Sequence, residues 1–184
     1  MIFGAGYSRK EDADLVRLVS EGNERAFNEL LSRYQNSVYS FALRLLGGDT
    51  QEAEDMAQET FLRLFRVSGN YSPTASLRTF LFRITKNLCI DFYRKKRPDL
   101  IDELPEMVEE ETPLDLLEKE IETDQLEKAI QTLPVNQRAA LLLRHKEQMA
   151  YKQIADVMSL SIGSVESLLV RARQKLRQKL LSDN

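Results

Sequence analysis

The sequence predicts an all-α protein made of two small helical domains joined by a flexible acidic linker. Three observations lead to this fold class. Apolar residues recur at spacings of three and four along most of the 184 residues, and the alternating pattern of half-buried strands is absent. Prolines and acidic residues interrupt this periodicity at 98–123. The predicted domains are therefore 1–97 and 124–184, and the second contains a helix-turn-helix.

Helical periodicity fills the start of the first domain. Apolar stripes run from Leu15 to Leu45, and the pair Gly47-Gly48 follows them, as is typical where a helix ends. Either Asp49 or Thr50 can cap the next helix, whose acidic first turn favours the positive end of the helix dipole. The inner face of that helix is predicted to contain Ala53, Met56, Ala57, Thr60, Phe61 and Leu64.

A turn-forming segment separates this helix from the last helix of the first domain. The helix ends near Val67, and residues 68–75 are rich in Ser, Gly, Asn and Pro. Ser76 begins the following helix, which runs to about Arg97 and is stopped by a proline. The linker at 98–123 is then expected, with a helix starting at Leu114.

The second domain ends in a sequence typical of a helix-turn-helix. An apolar stripe begins at Leu126, and Pro134 allows a new helical first turn before the corner at 151–180. Ser161 stands where an N-cap is needed, so the second helix of the corner begins near Ile162. Ser159 occupies the turn position that glycine often fills because glycine reaches positive φ at little cost.

The second helix of the corner carries two kinds of side chain. Its first turns are predicted to present Gly163, Ser164, Glu166 and Ser167 to base edges in a major groove. A short helical hairpin with a basic surface also occurs in bundles that never bind DNA, so this alternative stays open here. The positive charges that follow suit phosphates: Arg171, Arg173, Lys175, Arg177 and Lys179.

Charge is sorted along the chain, although the net charge is only −3. Residues 76–97 contain seven basic side chains against one acidic, whereas 99–127 contain thirteen acidic against one basic. Residues 138–179 return to nine basic against three acidic. Two basic units separated by an acidic connector indicate a nucleic-acid partner that the overall average conceals.

Several classes of protein do not fit this sequence. The single Cys89 cannot form an internal disulfide, and with the single His145 it cannot build a zinc site, so no cofactor or metal is predicted. No nucleophile with its base and no phosphate loop is evident, so we do not predict an enzyme. Neither a secretory signal nor an apolar run of about 18 residues is present, which predicts a cytoplasmic protein without membrane insertion.

Taken in order, three segments resemble the extracytoplasmic-function group of bacterial RNA polymerase sigma factors. FNELLSRYQNSVYSFALRLLGGDTQEAEDMAQETFLRLFR at 27–66 is similar to the core-binding segment of that group. LRTFLFRITKNLCIDFYRKKR is similar to its promoter-melting segment, and LPVNQRAALLLRHKEQMAYKQIADVMSLSIGSVESLLVRARQKL to its promoter-reading domain. The resemblance covers nearly the whole chain after about Asp12.

The resemblance implies that the chain binds core RNA polymerase, at the clamp of the largest subunit and at the flap region. In this group the helix containing AEDMAQETFLRLF docks on the clamp coiled coil. The alternative is a solvated helix face with no partner. The residues expected to face the polymerase are Gln51, Glu54, Asp55, Gln58 and Glu59.

The resemblance also implies that the first domain recognises the −10 element and melts it. Tyr71 and Asn87 lie where the group receives an unstacked base, and Phe80 shares a helical face with Arg83. Ordinary core packing is the alternative role for Phe80 and for Phe82. The remaining side chains expected to contact −10 DNA are Arg78, Lys86, Arg94, Lys95, Lys96 and Arg97.

For the second domain the resemblance implies recognition of the −35 element, with an anti-sigma factor as a further expected partner. Glu166 can accept from a cytosine amine, or it can pair with Arg171 or Lys175 and read no base. A two-domain regulator that binds an operator but never docks on polymerase is the competing interpretation. The residues expected at the −35 element are Ser161, Gly163, Ser164, Glu166, Ser167, Arg171, Arg173 and Lys175.

Overall fold

The computed structural model describes residues 6–72, 75–100 and 123–182, and within them it confirms the predicted all-α class, since no strand is present. The predicted linker at 98–123, with its helix start at Leu114, lies almost entirely outside the described residues. Single 3-10 turns occur at Ser68–Asn70 and Pro98–Leu100. The α-helices are α1 (Asp12–Ser20), α2 (Glu24–Leu45), α3 (Thr50–Val67), α4 (Leu77–Lys96), α5 (Thr123–Gln131), α6 (Val135–His145), α7 (Tyr151–Met158) and α8 (Ile162–Ser182).

The chain divides into two compact units, Met1–Leu88 and Cys89–Asn184. The division falls inside α4, earlier than the boundary at 97 that the sequence predicts. Tyr93 shows why, because its hydroxyl accepts a hydrogen bond of 3.0 Å from Arg138 Nη1 on α6. The last turns of α4 therefore pack with the second unit.

The core of the first unit is formed where α1, α2 and α3 pack together and α4 adds its apolar face. Phe41 of α2 and Phe82 of α4 stack at 5.1 Å between ring centroids, and both are buried. The hydroxyls of Thr60 and Thr85 lie 3.0 Å apart in a buried hydrogen bond between α3 and α4. The surrounding apolar residues include Leu15, Val16, Leu30, Val38, Phe61, Leu64 and Leu81.

Side-chain N-caps close in sequence fix the starts of two helices in this unit. Asn23 Oδ1 accepts from the backbone N–H of Ala26 at 3.0 Å and caps α2. Asp49 Oδ1 accepts from Glu52 N–H at 3.1 Å, so Asp49 is the N-cap of α3 and Thr50 is its first residue. Each such cap stabilises a helix by about 1 kcal/mol.

The second unit places α8 against α5, α6 and α7. Arg138 lies at the centre of this packing and is almost fully buried. Its Nη2 donates to the carbonyls of Gln131 and Leu133 at 2.7 and 2.9 Å, which fixes the turn between α5 and α6. The apolar core of the second unit is formed mainly by Leu133, Val135, Ala139, Leu142, Leu143, Ile154, Val165, Leu168, Leu169 and Ala172.

The corner between α7 and α8 has the predicted helix-turn-helix form. Ser159 adopts the left-handed conformation, at φ 57° and ψ 46°, and the N–H of Leu160 returns to the carbonyl of Ala155 at 3.0 Å. Ser161 Oγ then accepts from Ser164 N–H at 3.1 Å, which confirms Ser161 as the N-cap of α8. A serine thus fills the position that usually favours glycine, at a cost of roughly 1–2 kcal/mol.

No single helix among the described residues is long and apolar enough to cross a membrane. The helices α7 and α8 together meet the test of length and composition, but they are bent by 95°. Both helices contribute buried residues to the core of the second unit.

Candidate functional site

A small pocket lies where the turn after α3 meets the start of α4. Tyr71 and Phe80 form one wall, with their rings edge to face and 5.3 Å between centroids. The volume is about 270 Å³, just below the roughly 300–1,000 Å³ typical of pockets for drug-sized ligands. We call this the aromatic pocket, and it is lined by Val67, Asn70, Tyr71, Ser72, Ala75, Phe80 and Arg83.

Polar groups give the aromatic pocket a capacity for hydrogen bonding. Arg83 Nε is buried, and it has no hydrogen-bond partner among the described residues. Burial and the nearby charge of Asp12 raise the pKa of the Tyr71 phenol above its usual value. Tyr71 therefore stays neutral at physiological pH and can donate as well as accept. An aromatic wall beside a guanidinium suits a planar, polar ligand such as a nucleobase.

The structure distinguishes Phe82 from Phe80, for both of which the sequence left core packing open. Phe82 is fully buried against Phe41, with the guanidinium of Arg78 5.2 Å from the ring centroid, so it is a core residue. Phe80 is half-buried and lies in the wall of the aromatic pocket. The two neighbouring rings point to different sides of α4, as a rotation of about 100° per residue requires.

The other predicted −10 contacts are spread along α4. Asn87 is exposed but does not line the aromatic pocket. The cations at 94–97 are all exposed, with Lys96 Nζ 4.5 Å from the ring centroid of Phe92. Lys86 corrects the prediction, because it is only 6% exposed and does not present its ammonium to solvent.

A second concave surface lies between α2 and α3. We call it the α2–α3 groove, and its volume is about 690 Å³. Glu54 and Gln58 lie on its rim, beside the exposed Gln51 and Asp55, so four of the five residues expected to face the polymerase are exposed. The groove is lined by Phe27, Leu31, Gln35, Asn36, Tyr39, Glu54, Ala57, Gln58, Phe61 and Leu62.

Glu59 differs from the other four residues of that face. Its carboxylate accepts from Arg63 Nε at 3.0 Å and from Arg66 Nη1 at 3.2 Å. The hydrogen bond from Arg63 and the charge of Arg66 hold the pKa of Glu59 below its ordinary value. Glu59 is therefore already paired within α3, and its charge is partly neutralised.

The sequence did not identify the apolar part of this surface. Leu62 and Phe65 are 48% and 51% exposed on α3, and Val67 is also exposed. Phe65 lies edge to face with Phe27, 5.8 Å between ring centroids. The available signal was that Leu62 and Phe65 are apolar but fall outside the inner stripe of α3. Exposed apolar residues beside a groove mark a surface for a protein partner.

The first turns of α8 present a mixed surface. The hydroxyl of Ser164 lies 2.8 Å from that of Ser161, so both predicted contacts are engaged with each other at the cap. Gly163 is half-buried and Glu166 is exposed. Ser167 corrects the prediction, because it is only 3% exposed. Three helices cover α8, and its buried stripe is wider than one helical face.

The basic continuation of α8 is accessible as predicted. Arg171 and Arg173 are half-buried, and Lys175 is exposed. Ile162 is a residue that the sequence did not place at the site, yet it is exposed in the first turn of α8. The exposed surface of α8 therefore combines an apolar residue and a carboxylate at the helix start with cations farther along.

Comparison with known proteins assigns both units. The family model for Sigma-70 region 2 matches residues 30–98, and that for Sigma-70 region 4 matches residues 123–176. The RNA polymerase sigma-H factor of Pseudomonas aeruginosa is 34% identical over 94% of this chain and 95% of its own length. The ECF RNA polymerase sigma-E factor of Haemophilus influenzae is 31% identical over 92% and 95%. This chain belongs to the extracytoplasmic-function group of sigma factors.

Solved structures agree with that assignment. The sigma factor superimposes on CnrH, solved in complex with the cytosolic domain of CnrY, with a TM-score of 0.69 and 26% identity. The match covers 94% of the sigma factor and 99% of CnrH. Sigma factors bind core RNA polymerase and promoter DNA to begin transcription.

Proposed function

We propose that this sigma factor directs core RNA polymerase to promoters by using its two units for separate DNA elements. The first unit docks on the polymerase and melts the −10 element, and the second unit reads the −35 element. The aromatic pocket carries this proposal most directly. It combines two aromatic rings with the guanidinium of Arg83 near the start of α4, a helix whose last turn is basic.

At the −10 element, the aromatic pocket receives one unstacked base. Tyr71 and Phe80 provide the stacking surface, and the guanidinium of the half-buried Arg83, which lines the same pocket, donates to a carbonyl or ring nitrogen of that base. The exposed cations at 94–97, at the far end of α4, hold phosphates farther along the DNA. Stacking on an aromatic side chain contributes roughly 1–3 kcal/mol per base, which offsets part of the cost of unpairing.

The −10 proposal is tested by measuring DNA melting separately from binding. Tyr71→Ala in the reconstituted holoenzyme is expected to lower permanganate reactivity of −10 thymines by about 10-fold or more, with closed-complex formation nearly unchanged. Tyr71→Phe is the matched control, because it keeps the ring and removes only the hydroxyl. Equal losses of closed and open complexes in Tyr71→Ala would place the base elsewhere, and Asn87→Ala then tests the exposed amide of α4.

At the −35 element, the start of α8 enters the major groove. Glu166 is exposed and can accept from a cytosine N4 amine, whereas Arg171, Arg173 and Lys175 follow along the helix and bind phosphates. Ser167 and Lys86 do not contact DNA in this proposal, because both side chains are buried and DNA cannot reach them.

Docking on the polymerase uses α3. Gln51, Glu54, Asp55 and Gln58 supply an acidic and amide face. The exposed apolar Leu62, which lines the α2–α3 groove, and Phe65 extend this face along α3. The charged part sets register and orientation on the clamp, while the apolar part supplies most of the buried area. The flap region is the expected partner of the second unit.

The docking proposal is tested by charge reversal. Glu54→Lys with Asp55→Lys is expected to weaken core-polymerase binding by at least 10-fold while the helical content stays unchanged. The matched control reverses Asp14 and Glu21, two exposed carboxylates outside the α2–α3 groove. Binding that is unchanged in the α3 double variant would favour the alternative, an operator-binding regulator that never docks on polymerase.

An anti-sigma factor is the proposed regulator. CnrH, the structural relative, was solved with the cytosolic domain of CnrY bound. The exposed Leu62, Phe65 and Val67 of this chain offer an apolar surface of the kind that a regulatory helix covers. Occupation of this surface would exclude the polymerase clamp, because the two partners would compete for α3.

A further inference from the structure

Ile162 is an exposed apolar residue at the start of the recognition helix. Among the large apolar side chains described in the second unit, Ile162 and Leu181 are the exposed ones, at 47% and 69%. Leu181 lies at the opposite end of α8, one residue before the helix ends. Ile162 is the first residue of α8, directly after the corner.

The fold does not account for an isoleucine at this position. The buried stripe of α8 is provided by other residues, including Val165, Leu168 and Leu169. The two positions that form a hydrophobic staple around the N-cap Ser161 are taken by Leu160 and Val165. β-branched residues also have reduced helix propensity, so neither packing nor local stability favours Ile162.

The surroundings of Ile162 point to an apolar group on the DNA. Ser161 and Ser164, the nearest hydroxyls of the first turn, are engaged with each other and with a backbone N–H. Glu166 lies one turn farther on the same side of the helix and is exposed. The first residue of α8 therefore presents an apolar surface. In the major groove of DNA, the apolar group is the C5-methyl of thymine.

We propose that Ile162 is a specificity-determining residue that packs against the C5-methyl of a thymine and selects an A·T pair in the −35 element. This inference rests on the proposed function of α8, since it requires the start of the helix to enter the major groove. Glu166 would then read a neighbouring base pair by a hydrogen bond, so that one turn of α8 combines two kinds of discrimination.

Replacing thymine by deoxyuridine tests the proposal, because this change removes only the methyl group. The holoenzyme is bound to its preferred −35 element, with each thymine of either strand replaced singly. One replacement is expected to weaken binding about three- to fivefold, as loss of one buried methyl group would. Holoenzyme with Ile162→Ala is expected to bind the thymine and deoxyuridine duplexes equally.

Leu181→Ala is the matched control, since it removes an exposed apolar side chain from the other end of the same helix. It is expected to retain the wild-type response to deoxyuridine. The inference about Ile162 would be overturned if deoxyuridine at every position left wild-type binding unchanged. It would also be overturned if the preferred −35 element contained no A·T pair. Failure of the wild-type holoenzyme to distinguish any −35 sequence would instead overturn the proposed function of α8.

A variant that still responds to deoxyuridine gives a third informative outcome. If Ile162→Ala loses affinity for core polymerase and keeps its response to the methyl group, then Ile162 contacts the polymerase and the inference is wrong. Thermal unfolding of Ile162→Ala provides a check on folding. The exposure of the side chain predicts little change in stability.

Discussion

The aromatic pocket of the first unit and the start of α8 in the second unit are built from different ranges of the chain. The pocket combines Val67 from α3, Tyr71 from the following turn, and Phe80 from α4, a helix that is anchored in the core by the Phe41–Phe82 contact. The start of α8 is shaped by a few consecutive residues around Ser159 and Ser161. A site assembled over long range is sensitive to distant core changes, whereas a locally shaped site is sensitive mainly to its own turn.

The largest expected effect is on the stability of the first unit, through its buried Phe82. Phe82→Ala removes a fully buried ring from its contact with Phe41 and should lower the free energy of unfolding of the first unit by roughly 3–5 kcal/mol. Urea unfolding of the full chain, monitored on this unit, measures the loss. The open complex should be weakened as well, because Phe82 anchors α4, the helix that carries Phe80 and Arg83.

Phe80→Ala is the comparison for that variant. Phe80 is only half-buried, so its removal should cost about half as much stability while still abolishing the stacking wall. Melting of the −10 element should then fall with the unit still folded. If Phe80→Ala and Phe82→Ala destabilised the unit equally, Phe80 would be a core residue and the pocket would lose its proposed role.

The next effect separates base reading from positioning along α8. Glu166→Lys should change which −35 base is preferred, with a discrimination of roughly 1–3 kcal/mol at one base pair. The measurement is affinity across a library of singly substituted −35 elements at two salt concentrations. A uniform change at every site would mean that Glu166 acts only through its charge.

Arg173→Ala is the matched variant for Glu166→Lys. Because Arg173 is proposed to contact a phosphate, its removal should weaken binding to all −35 sequences about equally. The salt dependence should become shallower by up to about one counterion. A base preference altered by Arg173→Ala would place this side chain in the groove instead.

The smallest effects are expected at the corner itself, where two serines should respond in opposite directions. Ser161→Ala removes the N-cap of α8 and should destabilise the second unit by about 1 kcal/mol. Ser159→Gly relieves roughly 1–2 kcal/mol of left-handed strain and costs roughly 0.5–1 kcal/mol in chain entropy, so a small net gain is expected. Hydrogen exchange of the α7 and α8 amides reports both changes.

Opposite signs at the two serines would confirm that the corner is governed locally. Destabilisation by Ser159→Gly would show that the serine side chain makes a contact worth more than the strain. The first unit should be unaffected by either change, which serves as an internal reference in the same exchange experiment.

The sequence by itself determined the helical class and the starts of α3 and α8. Asn23, Asp49 and Ser161 form hydrogen bonds only three residues along the chain, and Ser159 marks the turn between α7 and α8. Such features depend on neighbours within one helical turn, which a sequence displays directly. The cations at 94–97 and Lys175, which the sequence predicts as DNA contacts, are exposed, because they lie in clusters where no apolar stripe is present.

Tertiary structure alone decided which predicted contacts are accessible. Lys86 and Ser167 are polar and were expected at the surface, but packing on several sides of α4 and α8 buries both. Ile162 is apolar and was expected to mark only a helix start, yet it lies exposed. The Thr60–Thr85 hydrogen bond joins residues 25 positions apart, and contacts over such separations leave no local periodicity for a sequence to reveal.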